Sequence, residues 1–315
     1  MFRYIAKRLI VSCIVLILVT VFTFVIVQTA PGGPEILMDV DLNDEDRAEI
    51  SASLGIDQPL HIQYVKWLGN LVRGDFGTSF SQKVPVSDLL AEKIPNTLYL
   101  TVAALILAII IGVPLGIYSA LKPNSLGDYL LSTGSMIGLS IPAFWFSIIL
   151  VIIFSINLRV LPSAGMYTIG AEKSFGDLLK HMMLPAFVSM LSPQATIMRY
   201  TRSSTLEVLN NDYIRTARAK GLSERRILYG HALKNALIPV VTAIGLMIPS
   251  LISGSIIVEK IFAWPGMGRL ISDSAFNRDY PVVMGATFIV AVMVIVANLI
   301  TDVIYAFLNP RIRLE

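Results

Sequence analysis

Long uncharged stretches alternate with charged segments along the chain. Six stretches contain no Asp, Glu, Lys or Arg, and five of them exceed the roughly 20 apolar residues that a membrane-spanning helix needs. The fourth has only 18 uncharged residues and includes Pro185, Pro193 and Gln194. We still count it, because a helix surrounded by protein can be short and polar. The pattern predicts six spans, which lie between Arg8 and Glu35, Lys93 and Lys122, Asp128 and Arg159, Lys180 and Arg199, Lys234 and Glu259, and Asp279 and Asp302.

The composition agrees with a surface that faces lipid. Hydrophobic residues make up 55% of the chain and charged residues 15%, whereas a soluble domain carries about 25% charged residues. The first stretch could instead be a cleaved signal peptide, because Arg3, Lys7 and Arg8 precede it. Its apolar run is longer than the about 7–15 residues of a signal peptide, and no Ala-x-Ala site follows. We therefore favour a retained membrane helix.

Charge predicts the orientation of these helices. The segment 199–234 holds eight basic residues against three acids, whereas the segment 35–93 holds eleven acids against five bases. Basic loops stay in the cytoplasm. The sequence therefore predicts an all-α integral membrane protein with six transmembrane helices and both termini cytoplasmic.

The chain divides into three regions on this basis. Residues 1–30 form an N-terminal transmembrane helix, residues 31–96 a structured extracytoplasmic segment, and residues 97–315 a core of five transmembrane helices. The cytoplasmic loop 199–234 belongs to that core. The segment 31–96 is too long for a plain loop, so we expect structure of its own.

Two helices are predicted within the extracytoplasmic segment. Asn43 or Asp44 can cap a short helix that runs to Leu54 and ends at Gly55. A second helix is expected over Leu60–Val72. Its apolar stripe favours packing onto the bilayer or the bundle over a ligand site. The stripe comprises Ile62, Val65, Leu68, Leu71 and Val72, with Trp67 nearby.

The predicted spans are rich in Pro, Gly and small polar residues, and three larger polar side chains stand out among them. Gln194, Asn298 and Asp302 are the ones we expect to face a pathway or the interior of the bundle, because polar groups avoid lipid. Asp302 lies near the inner boundary, where an anchoring role is equally open. Small residues and prolines in the spans indicate close helix packing and kinks, which a bundle that changes shape would also use.

The motifs of common enzymes are absent from the sequence. No G-x-x-x-x-G-K-[ST] phosphate loop, His-Glu-x-x-His or Gly-x-Ser-x-Gly occurs. One cysteine, Cys13, excludes an internal disulfide, and three histidines make an all-histidine metal site unexpected. We predict no catalytic residue, no cofactor, no metal site and no nucleic-acid partner.

The cytoplasmic loop carries the clearest local pattern. Asp212 opens a short amphipathic helix that Gly221 ends, with Lys220 in its last turn. Ser223 can cap a second helix, which has Glu224 in its first turn and continues into the fifth span. Two helices joined by a glycine can present a knob to a soluble partner. On spacing alone, basic residues that hold the topology and bind anionic lipid remain an equal alternative.

The loop resembles the cytoplasmic coupling loop of ABC importer permeases of the dipeptide/oligopeptide family. The matching residues run from Tyr213-Ile-Arg-Thr-Ala-Arg-Ala-Lys-Gly-Leu-Ser-Glu224 to His231-Ala-Leu-Lys-Asn235. The wider permease pattern has Glu-Ala-Ala before its glycine, where this chain has Arg215-Thr-Ala217. Further motifs match the family in order: Ala30-Pro-Gly-Gly-Pro34, Gly74-Asp-Phe-Gly-Thr-Ser79, Ile94-Pro-Asn-Thr97, Ser140-Ile-Pro-Ala-Phe144, Ile261-Phe-Ala-Trp-Pro-Gly-Met-Gly-Arg269, Arg278-Asp-Tyr-Pro281 and Asn309-Pro-Arg-Ile-Arg313.

The resemblance implies a non-catalytic permease subunit in a bacterial or archaeal cell membrane. Its partners would be a second homologous permease, two ABC ATPase subunits, an extracytoplasmic substrate-binding protein and membrane lipids. The ATPase-coupling residues would be Tyr213, Arg215, Ala217, Gly221, Leu222 and Ser223.

The cargo implied by the resemblance is a dipeptide or oligopeptide. The same machinery carrying nickel, a metal chelate or glutathione is the alternative. A stand-alone ion-coupled transporter is a more remote alternative. Such a protein should show intramembrane acids or inverted repeats, and neither is clear in this sequence. A membrane enzyme is disfavoured by the missing motifs.

Overall fold

The described part of the chain is helical almost throughout. The structure, a computed structural model, describes residues 2–29, 57–252 and 254–308 and the isolated positions 33, 43, 45, 51, 52 and 55. Those residues contain no β-strand and one isolated bridge, between Thr78 and Pro85. The helices are α1 (Phe2–Thr29), α2 (Leu60–Val72), α3 (Val86–Leu121), α4 (Leu126–Ser140), α5 (Ala143–Leu150) with a π-helix (Val151–Asn157), α6 (Phe175–Leu209), α7 (Asp212–Ala219), α8 (Glu224–Ile227) with a π-helix (Leu228–Ala232), α9 (Leu233–Ile252), α10 (Ile256–Ile261), α11 (Met267–Phe276) and α12 (Tyr280–Leu308).

Four helical stretches are long and apolar enough to cross a bilayer: Lys7–Thr29, Val86–Leu121, Glu224–Ser250 and Tyr280–Asp302. A fifth results if the pair Leu126–Ser140 and Ala143–Asn157 is counted as one span, bent by 103°. The bend falls at Ile141–Pro142, where proline disfavours the helical conformation of the residue before it.

The predicted fourth span lies within α6 but does not join this set of candidate spans. Polar side chains such as His181 and Gln194 are buried along it. A helix of this composition suits the interior of a bundle, where neighbouring protein satisfies polar groups. The structure therefore supports four or five candidate spans in its described residues, and the count of six remains a prediction.

The chain divides into two compact units. The first comprises the described residues within 1–97 and 265–296. Its apolar core joins the start of α3, at Val86 and Leu90, to α11 at Met267 and to α12 at Val282. In the same unit, α2 packs against α1, because Tyr64 contacts Phe24 edge to face at 5.4 Å.

The predicted helix Leu60–Val72 is confirmed with the predicted bounds. Its stripe is only partly covered: Leu71 is buried, whereas Val65 and Val72 are exposed. The face turned to α1 is instead polar and aromatic, with Gln63 bonded to Gln28 at 2.9 Å and Tyr64 to Thr20 at 2.9 Å. The exposed half of the stripe is left open to a surface outside the chain, as packing onto a bilayer requires. The short helix predicted from Asn43 or Asp44 to Leu54 falls largely outside the described residues, and Gly55 has φ +67°.

The second unit comprises the described residues within 98–264 and 297–313. Within it, α3 and α6 approach closely at two glycines of α3. A Cβ on Gly112 would lie 2.9 Å from the carbonyl oxygen of Gln194, and one on Gly116 would lie 2.6 Å from that of Met198. Glycine is required at both positions because any side chain would collide with the α6 backbone.

The second unit also holds a long connection between α5 and α6. The backbone N–H and the hydroxyl of Thr168 donate to Asp177, at 2.7 Å and 2.8 Å. These hydrogen bonds from Thr168 lower the pKa of the Asp177 carboxyl below its ordinary value. His181 Nδ1 lies 3.2 Å from the carbonyl oxygen of Gly165, so the connection is fastened to the first turns of α6.

Candidate functional site

The predicted helix–glycine–helix pattern is present in the structure. We call residues Tyr213–Ser223 the elbow. Helix α7 ends at Ala219, Gly221 follows with φ +79°, and α8 begins at Glu224. A Cβ on Gly221 would meet nothing within 4 Å, so the glycine is needed for its backbone conformation and not for space.

A small apolar core holds the elbow in place. Ile214 and Ala217 are three residues apart on α7, so they share one face, and both are buried. They pack with Ile227 and Leu228 from the following helical segment and with Val208 near the end of α6. Elbow and flanking helices therefore share one cluster, and the alanines within it allow close approach.

Two polar contacts brace the elbow from outside its core. Arg218 donates to Glu224 through Nε at 2.8 Å and Nη2 at 3.3 Å, which links α7 directly to α8 across the glycine. Asn235 Nδ2 donates to the Tyr213 hydroxyl at 2.9 Å, which links α7 to α9. All four side chains belong to exposed residues, so a partner can reach both braces.

The predicted coupling residues divide into an outward and an inward set. Tyr213, Arg215 and Ser223 are exposed, and Arg215 makes a 3.4 Å contact with Asp212. Ala217 is buried and Leu222 is half-buried against the cluster, so these two shape the elbow and do not present themselves to a partner. Ser223 takes the position before α8 but forms no capping hydrogen bond through its side chain, so the predicted cap is positional only.

The three predicted interior polar residues have different surroundings. Gln194 is buried on α6, close to Gly112 of α3. Asn298 is exposed on α12, and Asp302 is half-buried one turn further along. Next to Asp302, the hydroxyl of Thr301 donates to the carbonyl oxygen of Gly245 on α9 at 3.1 Å.

The second unit contains a buried ion pair that was not predicted from the sequence. Arg202 of α6 donates to Asp128 of α4 through Nε and Nη2, both at 2.7 Å, and Asp128 is 3% exposed. Asp128 also accepts hydrogen bonds from the Ser119 hydroxyl and from the backbone N–H of Asn124. We call the Asp128–Arg202 pair the latch. The spacing Ser125-x-x-Asp128 could have placed Asp128 in a first helical turn, but nothing local pointed to Arg202.

A second buried aspartate organises the first unit. Asp279 is 1% exposed and accepts hydrogen bonds from the Ser79 hydroxyl and from the backbone N–H groups of Phe80 and Ser81, the last two at 3.0 Å and 3.2 Å. We call Asp279 with residues 79–81 the Asp279 clamp. It joins two motifs that are distant in sequence, Gly74–Ser79 and Arg278–Pro281.

Another two of the sequence motifs meet in the same unit. Asn96 Nδ2 donates to the carbonyl oxygen of Pro265 at 2.9 Å, and the Thr97 hydroxyl accepts from the backbone N–H of Met267 at 2.7 Å. The motif Ile94–Thr97 therefore fixes the start of α11. Motifs that looked independent along the sequence are pairs of contacting segments.

The first unit also contains a cleft of about 590 Å³. Phe24 of α1, Trp67 of α2 and Phe76 line it, together with the side chains of Asn70 and Tyr280. Helix α2 thus packs on α1 and also borders this cleft.

Comparison with known proteins identifies relatives over the whole chain. A family described as "Binding-protein-dependent transport system inner membrane component" matches residues 112–314, and the corresponding N-terminal family matches residues 1–101. The oligopeptide transport system permease protein AppB of Bacillus subtilis is 49% identical over 99% of this chain and 100% of its own. The dipeptide transport system permease protein DppB of Escherichia coli is 38% identical, and the glutathione transport system permease protein GsiC of Salmonella paratyphi A is 40% identical, each over 99% of both chains.

A solved structure shares the fold at low sequence identity. An inward-facing form of the MetNI methionine ABC transporter aligns with a TM-score of 0.54 and 17% identity, over 70% of this chain and 96% of that one. At this identity the likeness concerns the arrangement of helices alone.

Proposed function

This chain belongs to the family of inner-membrane components of binding-protein-dependent transport systems, and from that premise we propose how it works as the permease subunit of a peptide ABC importer. The chain forms half of the translocation pathway. Partner subunits hydrolyse ATP, and the elbow transmits their movement to the membrane helices. A soluble binding protein delivers the peptide from outside. The chain itself performs no hydrolysis.

The elbow is the observation that carries this proposal. Its inward face is fastened by Ile214 and Ala217, while Tyr213 and Arg215 of the same helix are exposed. Because of these buried contacts, α7 moves together with the end of α6 and the start of α9. The exposed residues are available for contact with a partner subunit. Binding to one of two conformations is then sufficient to shift the helices between inward-open and outward-open states.

The membrane arrangement completes the proposal. Six spans place both termini and the elbow in the cytoplasm and the segment 31–96 outside, because the basic loop 199–234 stays inside. The binding protein then docks on the outer face, where the segment 31–96 and the loop 259–281 lie. The fourth span is the α6 helix, which relies on neighbouring protein to satisfy its polar groups.

Peptides are the proposed cargo, because the oligopeptide permease of B. subtilis is 49% identical over 99% of this chain. A second candidate, glutathione, has a specific observation in its favour, since the glutathione permease is also 40% identical over nearly the full chain. Glutathione is itself a small peptide-like molecule, so the same pathway chemistry suits both.

Reconstitution in proteoliposomes tests the proposal. The chain with its second permease, ATPase subunits and binding protein should accumulate labelled di- and oligopeptides only when ATP is supplied. The purified chain alone should show no ATP hydrolysis, because its sequence has no phosphate loop. Hydrolysis by the isolated chain, or accumulation of peptide without the ATPase subunits, would contradict the proposed division of labour.

A further inference from the structure

The elbow core touches more than the helices that flank it in sequence. Val208 and Leu209 contribute to it from α6, and Ile117 contributes from the end of α3. Two residues beyond Ile117, the fully buried hydroxyl of Ser119 donates to Asp128. The elbow core is therefore linked to the cluster around Asp128 through the end of α3.

The latch completes a second route between the same two regions. Arg202 lies two helical turns before the end of α6, which leads directly into α7. Its guanidinium makes two parallel hydrogen bonds to Asp128, the geometry that best fixes both distance and orientation. A displacement of the end of α6 must therefore move Asp128 or break both bonds.

Asp128 sits in the first turn of α4, the helix that leads to the 103° bend. Besides the bonds from Arg202, its carboxylate accepts hydrogen bonds from the backbone N–H of Asn124 at 2.9 Å and from the hydroxyl of Ser132 at 3.3 Å. The Asp128 carboxylate thus joins the loop before α4 to the first two turns of α4 through hydrogen bonds. A displacement of Asp128 therefore displaces the start of α4, the first helix of the bent pair.

We propose that Asp128 and Arg202 are positioning residues that carry the movement of the elbow to the bent pair α4–α5. The inference rests on the proposed function, since it assumes that the elbow is driven by ATPase subunits. Movement along such a route is carried by packed and hydrogen-bonded groups in contact, which the described residues supply. An ion pair suits this role because it is stiff in orientation and can break and reform as a unit.

The test uses the complete reconstituted complex and measures peptide uptake per ATP hydrolysed, together with the abundance of the chain in the membrane. Asp128→Asn keeps the size of the side chain and a hydrogen-bond acceptor but removes the charge that holds Arg202. We expect the ratio of uptake to hydrolysis to fall at least about fivefold, the low end of typical coupling between two sites. Arg199→Gln is the matched control, because it removes an exposed cation one turn earlier on the same helix, and its ratio should equal that of the wild type.

A merely structural pair would lower uptake and hydrolysis together as abundance falls, and an unchanged ratio in Asp128→Asn overturns the proposal. Should this variant fail to insert, Arg202→Lys carries the test. An ammonium keeps the charge but cannot form the two parallel bonds, so its ratio should still fall below that of the wild type, and equality overturns the proposal. Uncoupling by an elbow variant alongside an unchanged latch ratio would leave the proposed function standing without the latch.

Discussion

The elbow and the Asp279 clamp hold their segments by opposite means. The elbow rests on small apolar side chains and on braces between exposed residues, Arg218 with Glu224 and Asn235 with Tyr213. The clamp rests on one buried carboxylate that accepts three hydrogen bonds from a neighbouring loop. Exposed polar contacts contribute little free energy each, whereas buried charge-assisted ones are costly to break. The comparison indicates polar contacts that break at low cost in the elbow and at high cost in the clamp.

The largest effect is expected from breaking the clamp. Asp279→Ala removes the carboxylate that Ser79 and the N–H groups of Phe80 and Ser81 use, at a cost of about 3 kcal/mol or more, because hydrogen bonds to charged groups are the stronger ones. Thermal unfolding of the purified chain in detergent should show a midpoint lowered by at least about 5 °C. Asp279→Asn retains one acceptor oxygen and should lose about half as much. Equal stability of the alanine variant and the wild type would refute the clamp.

The latch should show an asymmetry between its two partners. Arg202→Gln leaves the buried Asp128 carboxylate without its cation, which costs about 3 kcal/mol in a buried pair. Asp128→Asn leaves Arg202, whose side chain is 30% exposed and can be solvated. The midpoint of thermal unfolding should therefore fall further for Arg202→Gln than for Asp128→Asn. The reverse order would show that burial of Asp128 is not the controlling feature.

A smaller effect is expected at the Tyr213 brace. Tyr213→Phe removes the hydroxyl that accepts from Asn235 but keeps the ring, and an exposed neutral hydrogen bond contributes about 0.5–1 kcal/mol. The free energy of unfolding should change by no more than that amount. Tyr229→Phe is the control, since Tyr229 is exposed on the adjoining segment and no hydrogen bond of its hydroxyl is seen in the described residues. If Tyr213→Phe lowered the free energy of unfolding by more than about 2 kcal/mol, the brace would be as costly to break as the contacts of the clamp.

The smallest effect belongs to the basic residues after the elbow. Arg225 and Arg226 are exposed, so replacing either with Gln should change the free energy of unfolding by less than about 1 kcal/mol. Uptake should change correspondingly little. Quantitative immunoblotting of membranes and uptake assays check this. Loss of insertion on neutralising either residue would favour the alternative in which the loop only sets topology.

Local features of this fold could be predicted from the sequence, because their signals are local. The bounds of Leu60–Val72 follow from its apolar spacing, and the helix–glycine–helix pattern from the residues 212–224 alone. The side of α2 that packs on α1 was not predicted, because Tyr64 and Gln63 are chosen by the partners Thr20 and Gln28. Hydrophobic pattern does not encode such polar matches.

The two buried aspartates mark the limit of sequence reasoning more clearly. Asp128 and Asp279 served in the sequence only as charged boundaries of apolar stretches. Their partners Arg202 and Ser79 are 74 and 200 residues away, so no spacing rule connects them. The order of the motifs indicated the family, but only the fold shows that Gly74–Ser79 and Arg278–Pro281 meet.

The central claim is that the shape of the elbow couples ATP hydrolysis to transport, and Gly221 offers the most direct test. Gly221→Val and Gly230→Val both add a side chain where the Cβ would meet nothing within 4 Å, but only Gly221 has a positive φ, +79°. The left-handed conformation costs a residue with a side chain about 1–2 kcal/mol, and more when it is β-branched. Uptake per ATP hydrolysed should therefore fall severalfold in Gly221→Val at normal membrane abundance and stay near wild type in Gly230→Val. A wild-type ratio in Gly221→Val at normal abundance would contradict the account.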